Sequence, residues 1–272
     1  MRKHTIIIGL LLSVLYACHS VKLPDVKVNA YPLGYSQKIE GDSLIITLDN
    51  RLECPVRIVL NDSSLNKRFE NKGIVVLEPK EKRRIGVFLE RKEYTAGANY
   101  MLGNAISYPK DNKLSLPFQK GKQYKIVQGH NGNFSHNEGL SKLALDFDLK
   151  VGDTVCAAAN GYVVGLVDKY KYYGKNSSWK DYANFITLYH PETGLFTEYV
   201  HLKENGAKVA VGDFVKAGQP IALCGMTGWT TTPHLHFVAY FRNTDWKSEP
   251  IEIDFTENYK SGSLKPGEVV KK

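Results

Sequence analysis

Two histidines, His234 and His236, stand one residue apart in the stretch TTPHLHF of a chain that has only eight. Side chains at i and i+2 of a β-strand point to one face, so these two imidazoles project together while Leu235 and Phe237 turn to the opposite, core-facing side. Pro233 marks the start of such a strand. Paired imidazoles on one face serve a metal or acid/base site, or belong to a polar strand face with no chemistry, and the remainder of the chain must discriminate. A catalytic zinc needs three N or O ligands from the protein and one open position. His236 supplies one. The stretch FSHNEGLSKLALDFDLKVGDTV offers another imidazole, His136, and a carboxylate, Asp146, whose neighbours Leu145 and Phe147 are core residues by pattern. Asp148 shares the face of Asp146, so alternation does not choose between them. In LFTEYVHL the pattern places His201 on the face of Thr197 and Tyr199, with Val200 and Leu202 opposite. His4, His19, His130 and His190 enter no such pattern.

The elements that must position these residues begin after an export signal. MRKHTIIIGLLLSVLYAC has a basic start and an apolar stretch too short to span a bilayer. Its end, Leu15-Tyr16-Ala17-Cys18, resembles the lipobox of bacterial lipoproteins, with Tyr16 where a small or β-branched residue is usual. That resemblance implies a lipoprotein-type signal peptide over residues 1–18, with the residues preceding Cys18 removed, lipidation of Cys18 and tethering to a membrane surface without a spanning helix. The three remaining cysteines, Cys54, Cys156 and Cys224, are too few and too dispersed for a disulfide framework, and no Cys-x-x-Cys pair is present for cysteine-ligated zinc. Net charge is +8, but the basic residues are scattered or alternate with acids, which excludes a nucleic-acid stripe. A mild cationic bias suits work against an anionic polymer or membrane.

The 272 residues, 43% of them apolar, are enough for two domains with real cores. Short alternating runs between residues 26 and 89 predict an N-terminal β-sandwich-like domain over 24–115, to which no chemistry attaches. Residues 98–124, rich in Gly, Pro, Asn and Lys, read as a connecting segment, and a second strand-dominated domain follows over 120–245, with 246–272 as a C-terminal extension. VGDTV at 151–155 is echoed by VGDFV at 211–215, and NFITLYHPETGLFTEYVHL reads as a hairpin turning at residues 191–194. The expected class is therefore all-β. A long loop between Asp168 and Ala183 is dense in Tyr, Lys and Trp, as a binding wall would be. Tyr172, Trp179, Tyr199 and Trp229 are the substrate-groove candidates.

Read together, SHNEGLSKLALDFDLKVGDTVCAAANGYVV, YVHL and VAVGDFVKAGQPIALCGMTGWTTTPHLHF resemble the lysostaphin-type (LytM-like) zinc metalloendopeptidases over residues 125–240. The resemblance implies an antiparallel β barrel-sandwich catalytic domain holding one zinc ion per chain through His136, Asp146 and His236, and so selects Asp146 over Asp148. It makes His201 and His234 the non-ligand catalytic pair, with His234 as base and His201 as oxyanion stabiliser, or the reverse. Two departures stand out: His136 and Asp146 are ten residues apart, as in a subgroup with an inserted loop, and Thr232 replaces a frequent Gly. The implied activity is hydrolysis of the peptide crosslinks of bacterial peptidoglycan in the cell envelope, by a membrane-anchored lipoprotein with no nucleic-acid partner and an unidentified regulatory protein partner at most. The alternative is a non-catalytic envelope protein of the same fold that activates another wall hydrolase. VGDFVKAGQPIALCG also resembles the hairpin of biotinyl and lipoyl carrier domains, a reading opposed by the export signal and the four ordered histidines.

Overall fold

The computed structural model describes residues 22–62, 73–88, 97–109 and 111–272. The export signal and Cys18 lie outside the described residues. Two small antiparallel sheets come first. One is ordered Leu33–Glu40, Ser43–Asn50, Lys82–Phe88, and the other Ile74–Leu77, Val56–Leu60, Ala98–Leu102. In Ser43–Asn50 the alternation seen in the sequence is realised, with Leu44, Ile46 and Leu48 buried. The strand Ala98–Leu102 shows that the expected connecting segment begins as the third strand of the second sheet. It lies at the edge of that sheet, paired on one side only, and the Gly and Lys residues of the segment follow it.

The larger part is built on a nine-stranded antiparallel sheet. Its path runs Phe214–Val215, Gly161–Val167, Phe185–His190, Leu195–Val200, Leu235–Arg242, Leu145–Phe147, Gln123–Gln128, Val269–Lys271, with Ser248–Pro250 paired beside Leu235–Arg242. The path is open, so the expected barrel-sandwich is a sandwich without a closed barrel. A three-stranded sheet, Thr154–Cys156, Pro220–Cys224 and Leu202–Ala207, covers one face of it. Leu145, Phe147, Tyr199, Leu235 and Phe237 from the large sheet share this core with Val155, Ile221 and Cys224 from the small one. Ile251, Ile253, Phe255, Leu264 and Val270 belong to the same core, so residues 246–272 complete it and do not form an appendage. Cys54, Cys156 and Cys224 are free and buried, as a small-hydrophobe role requires.

The VGD echo is a repeated turn. Gly152 and Gly212 have φ of 95° and 101°, a left-handed conformation that side chains resist. In each turn the following Asp accepts a hydrogen bond from a backbone N–H three residues upstream, Lys150 N to Asp153 and Ala210 N to Asp213, both at 2.8 Å. The echo therefore encodes two equivalent strand entries.

The other face of the large sheet is organised in rows, because residues directly opposite in antiparallel strands project the same way. The first row is Phe185, Val200, His236, Asp146 and Gln128. Two residues along lies the row Gly165, Thr187, Glu198 and Val238, and beyond it Tyr189, Phe196 and Tyr240. The third row is apolar and packs into one continuous core with Leu48, Leu52, Val56 and Leu102 of the N-terminal sheets. One sheet face thus carries polar groups at one end and supports the N-terminal sheets at the other. The segment that enters those sheets is pinned to the same face: Ala30 is buried beside Val167 and Tyr170, and the Tyr31 ring lies where any side chain on Gly165 would clash, at 2.4 Å from a built Cβ.

Phe196 is the centre of the shared core, stacked on Tyr240 at 5.4 Å between ring centres and close against Gly103. Phe196→Ala is expected to cost about 3–5 kcal/mol of stability. Urea denaturation should show the N-terminal and large-sheet parts losing stability together, and two separated transitions with only one shifted would contradict a common core.

Candidate active site

The polar row converges on a triangle of donor atoms. His236 Nδ1 lies 2.9 Å from Asp146 Oδ1, His136 Nε2 lies 3.2 Å from the same oxygen, and His136 Nε2 and His236 Nδ1 are 3.2 Å apart. Asp146 and His236 meet because their strands pair in register, Cα opposite Cα. His136 arrives from the loop after Gln123–Gln128. Its N–H bonds Gly132 O at 3.1 Å, and its Nδ1 donates to Gly129 O at 2.9 Å, which leaves the Nε2 lone pair facing the triangle. Gln128 ties this loop to the carboxylate, donating through Nε2 to Ser135 Oγ at 2.9 Å and to Asp146 Oδ2 at 3.3 Å.

Such a triangle has the dimensions of one face of a metal tetrahedron. Bonds of about 2.0–2.1 Å in tetrahedral geometry imply ligand–ligand edges of about 3.3–3.4 Å, against the 2.9–3.2 Å seen. Contacts this close are satisfied either by protons on the imidazoles, as hydrogen bonds to Asp146 Oδ1, or by one cation held among the three atoms. Burial would push the Asp146 carboxyl up, but the positive potential of His234 and the hydrogen bonds from His136 and His236 hold it well below the ordinary range, so it is an anionic donor. The donor set His, Asp, His with its backbone-oriented imidazole fits a zinc-sized divalent ion.

Two further imidazoles stand beside the triangle without belonging to it. His234 Nε2 is 3.7 Å from Asp146 Oδ1, and its Nδ1 donates to Thr232 O at 2.9 Å. Thr232 acts through its backbone carbonyl, which a glycine would also offer. The ring of His201 lies 4.6 Å from that of His234 and 6.0 Å from that of His236. Strand alternation had put His201 on the face of Tyr199, and the structure overturns this. Tyr199 points into the opposite core, whereas His201 has φ of 63°, ends the strand and swings to the polar face. Its Nδ1 donates to Thr227 O at 2.7 Å. That carbonyl is fixed by buried hydrogen bonds from Thr227 Oγ1 to Leu202 O and from Asn184 N to Thr227 Oγ1. Both imidazoles thus present an Nε2 lone pair, suited to accept a proton.

The other candidates fall into two groups. Trp229 lines the groove of about 850 Å³ in front of the triangle, together with His201, His236, Val200, Glu198 and Phe134. Phe134, on the His136 loop, faces Trp229 with ring centres 5.8 Å apart and was not evident in the sequence, where it is one aromatic in a short polar loop. Tyr199 is fully buried, its hydroxyl accepting from Ala158 N, and so is no groove residue. Trp179 is buried against Gly174 and Tyr182 and supports the wall from behind, while Tyr172 is exposed beside Lys171 and does not line the groove. Asp148 pairs with Lys150, and His130 stands outside the triangle. His190 is buried between Asn160 O and Thr197 Oγ1 as a structural link.

Residues 141–250 match the model of peptidase family M23. His136 lies just upstream of the matched segment, and Asp146, His201, His234 and His236 lie within it. The M23 match is accompanied by 37% identity over 164 residues to the peptidoglycan DD-endopeptidase ShyB of Vibrio cholerae, covering 56% of this chain and 35% of that protein. Lysostaphin of Staphylococcus simulans is 36% identical over 95 residues, covering 34% of this chain and 17% of that protein. A solved structure of the antimicrobial peptidase lysostaphin from Staphylococcus simulans aligns at 29% identity over 47% of each chain, with a TM-score of 0.34. The matched part of this chain therefore spans about a third or less of the curated relatives' own length.

His201 is held neutral by burial and by the neighbouring His234 and His236, which push its pKa down to about 3. The unfolded chain protonates this residue below about 6.5, so stability is lost progressively as pH falls from that value toward about 3. Nitrogen NMR of the metal-free protein should show His201 in the Nδ1–H tautomer and uncharged at pH 5. Protonation near 6.5 would contradict the buried geometry.

Proposed function

We propose that the protein is a zinc-dependent endopeptidase that hydrolyses peptide crosslinks of bacterial peptidoglycan. The reading rests on one observation: three donor atoms spaced as a tetrahedral face, with two unligated imidazoles presenting lone pairs to the same groove. His136, Asp146 and His236 would hold the ion. When bound, zinc supplies Lewis-acid polarisation of a carbonyl and acidification of a water at neutral pH. His234, whose Nδ1 donates to Thr232 O and whose Nε2 lies 3.7 Å from Asp146 Oδ1, takes the proton of the attacking water on that Nε2 and returns it to the leaving amine. His201, whose Nδ1 proton is held by Thr227 O, presents an Nε2 lone pair to the same groove, so it accepts a hydrogen bond from the attacking water or the leaving amine, which favours a proton-accepting role over an oxyanion-stabilising one. The complete donor set weighs against the non-catalytic activator reading, because an activator needs none of these groups.

His236→Ala should lower zinc occupancy and activity together. His234→Ala and His201→Ala should retain zinc and fold while kcat falls by roughly 10²–10⁴. Elemental analysis beside turnover of purified crosslinked muropeptides reads both quantities. Loss of zinc in His234→Ala as complete as in His236→Ala would overturn the division between ligands and catalytic pair, and full turnover in both His234→Ala and His236→Ala would overturn the enzyme reading.

We further propose that the protein is a lipoprotein of the cell envelope anchored through Cys18. No helix among the described residues is long and apolar enough to cross a membrane, and the tripartite start of the chain supports export. Cys18→Ala should move the protein from the membrane fraction to the soluble fraction, and unchanged fractionation would count against the anchor.

A further inference from the structure

One carboxylate in the groove has no role in the chemistry above. Glu198 sits in the second row of the sheet face, between Thr187 and Val238, and lines the groove with Val200, His201 and His236. Its Oε2 accepts from Thr187 Oγ1 at 3.3 Å, and Thr187 Oγ1 is 3.2 Å from the hydroxyl of Tyr31. Because the Tyr31 ring rests on Gly165, this short chain of hydrogen bonds fixes one carboxylate oxygen and leaves Oε1 without a partner among the described residues. No cation stands within ion-pair distance of it among those residues. Lys27, which lines the same groove, pairs with Asp181, and the Arg242 guanidinium lies over the rings of Tyr240 and Phe196, at 4.9 and 5.6 Å.

Apart from accepting from Thr187 Oγ1, the Glu198 carboxylate has no hydrogen-bond partner among the described residues. Its opposite neighbour is Val238, and an apolar side chain would pack there without the cost of desolvating a charge. Burial pushes the Glu198 carboxyl up, only partly opposed by Arg242 and Thr187, which marks a group short of compensating positive charge. Two residues separate Glu198 from Val200, the direct neighbour of His236, so it stands about 7 Å along the strand from the metal row. An extended peptide covers that distance in about two residues.

We propose that Glu198 is a specificity-determining subsite that receives a free ammonium group of the peptide substrate, carried within about two residues of the scissile bond. The subsite rests on the endopeptidase reading. The ammonium donates to Oε1 while Thr187 and Tyr31 hold the carboxylate against rotation, so the residue positions substrate and takes no part in bond cleavage. Selectivity follows from chemistry alone: an amine that has been acylated keeps its length but loses its charge.

The test uses crosslinked muropeptides with free amines, the same molecules after complete N-acetylation, and synthetic crosslinked peptides acetylated at only the α-amine or only the side-chain amine. Wild-type protein should prefer the free-amine form by roughly 10- to 100-fold in kcat/KM, the range for one charge-assisted hydrogen bond in a half-buried site. In Glu198→Gln, which preserves shape, the ratio between the two forms should collapse toward one, with zinc content unchanged. The mono-acetylated peptides identify which amine is read. Equal treatment of both forms by the wild type, or an undiminished preference in Glu198→Gln, overturns the subsite. Calorimetric binding of the same peptides is measured in parallel: if the wild type cleaves neither form yet binds the free amine more tightly through Glu198, the hydrolase reading fails and the subsite stands, whereas equal binding and no cleavage removes both.

Discussion

The arrangement depends on the register between Leu145–Phe147 and Leu235–Arg242. With Asp146 opposite His236, both polar side chains project to the groove face while Leu145, Phe147, Leu235 and Phe237 project into the core. A slip of one residue would invert every one of these side chains. Burial of four large apolar groups therefore acts as the clamp that holds two donor atoms within 2.9 Å of each other. The site draws its precision from hydrophobic packing on the reverse side of its own strands, and the third donor, from a loop, is secured separately by Gly129 O and Gln128.

Much of this was legible in the amino-acid order, because alternation is a property of neighbouring residues. The strand pattern identified which way His236 and Asp146 face, the hairpin at residues 191–194 was evident, and the all-β class followed from short alternating runs. Alternation could not choose Asp146 over Asp148, since both satisfy it, and their difference lies in the partner strand. It failed for His201 because a single left-handed residue reverses the direction of a side chain without any change in hydrophobic pattern. It failed for Tyr199 because a tyrosine on a core face and one on a groove face have the same spacing. Glu198, Gln128 and Phe134 were invisible for a related reason: each acquires its place through a residue distant in sequence.

The N-terminal sheets are more than a neighbour of the large sheet that bears the imidazoles. They bury the apolar end of the face whose polar end bears the imidazoles, and Tyr31 reaches from their entry segment to Thr187 beside Glu198. A large sheet with one uncovered apolar end would be a site of aggregation. Covering it with sheets from the same chain leaves the polar end open, and the boundary between covered and open ground runs along the row of Thr187 and Glu198.

The pinning of the entry segment also sets a geometric limit. Val28 N–H bonds the Tyr170 hydroxyl at 2.8 Å and Lys27 pairs with Asp181, both at the rim of the groove. Nine residue steps lead from Cys18 to Lys27, and a fully extended chain spans about 3.3–3.6 Å per step. With a lipid on Cys18, the leash between bilayer and groove would be no longer than about 30 Å. A tether that short would confine the groove to a thin shell above the lipid surface, so that the depth within its reach would be decided by chain length and not by affinity.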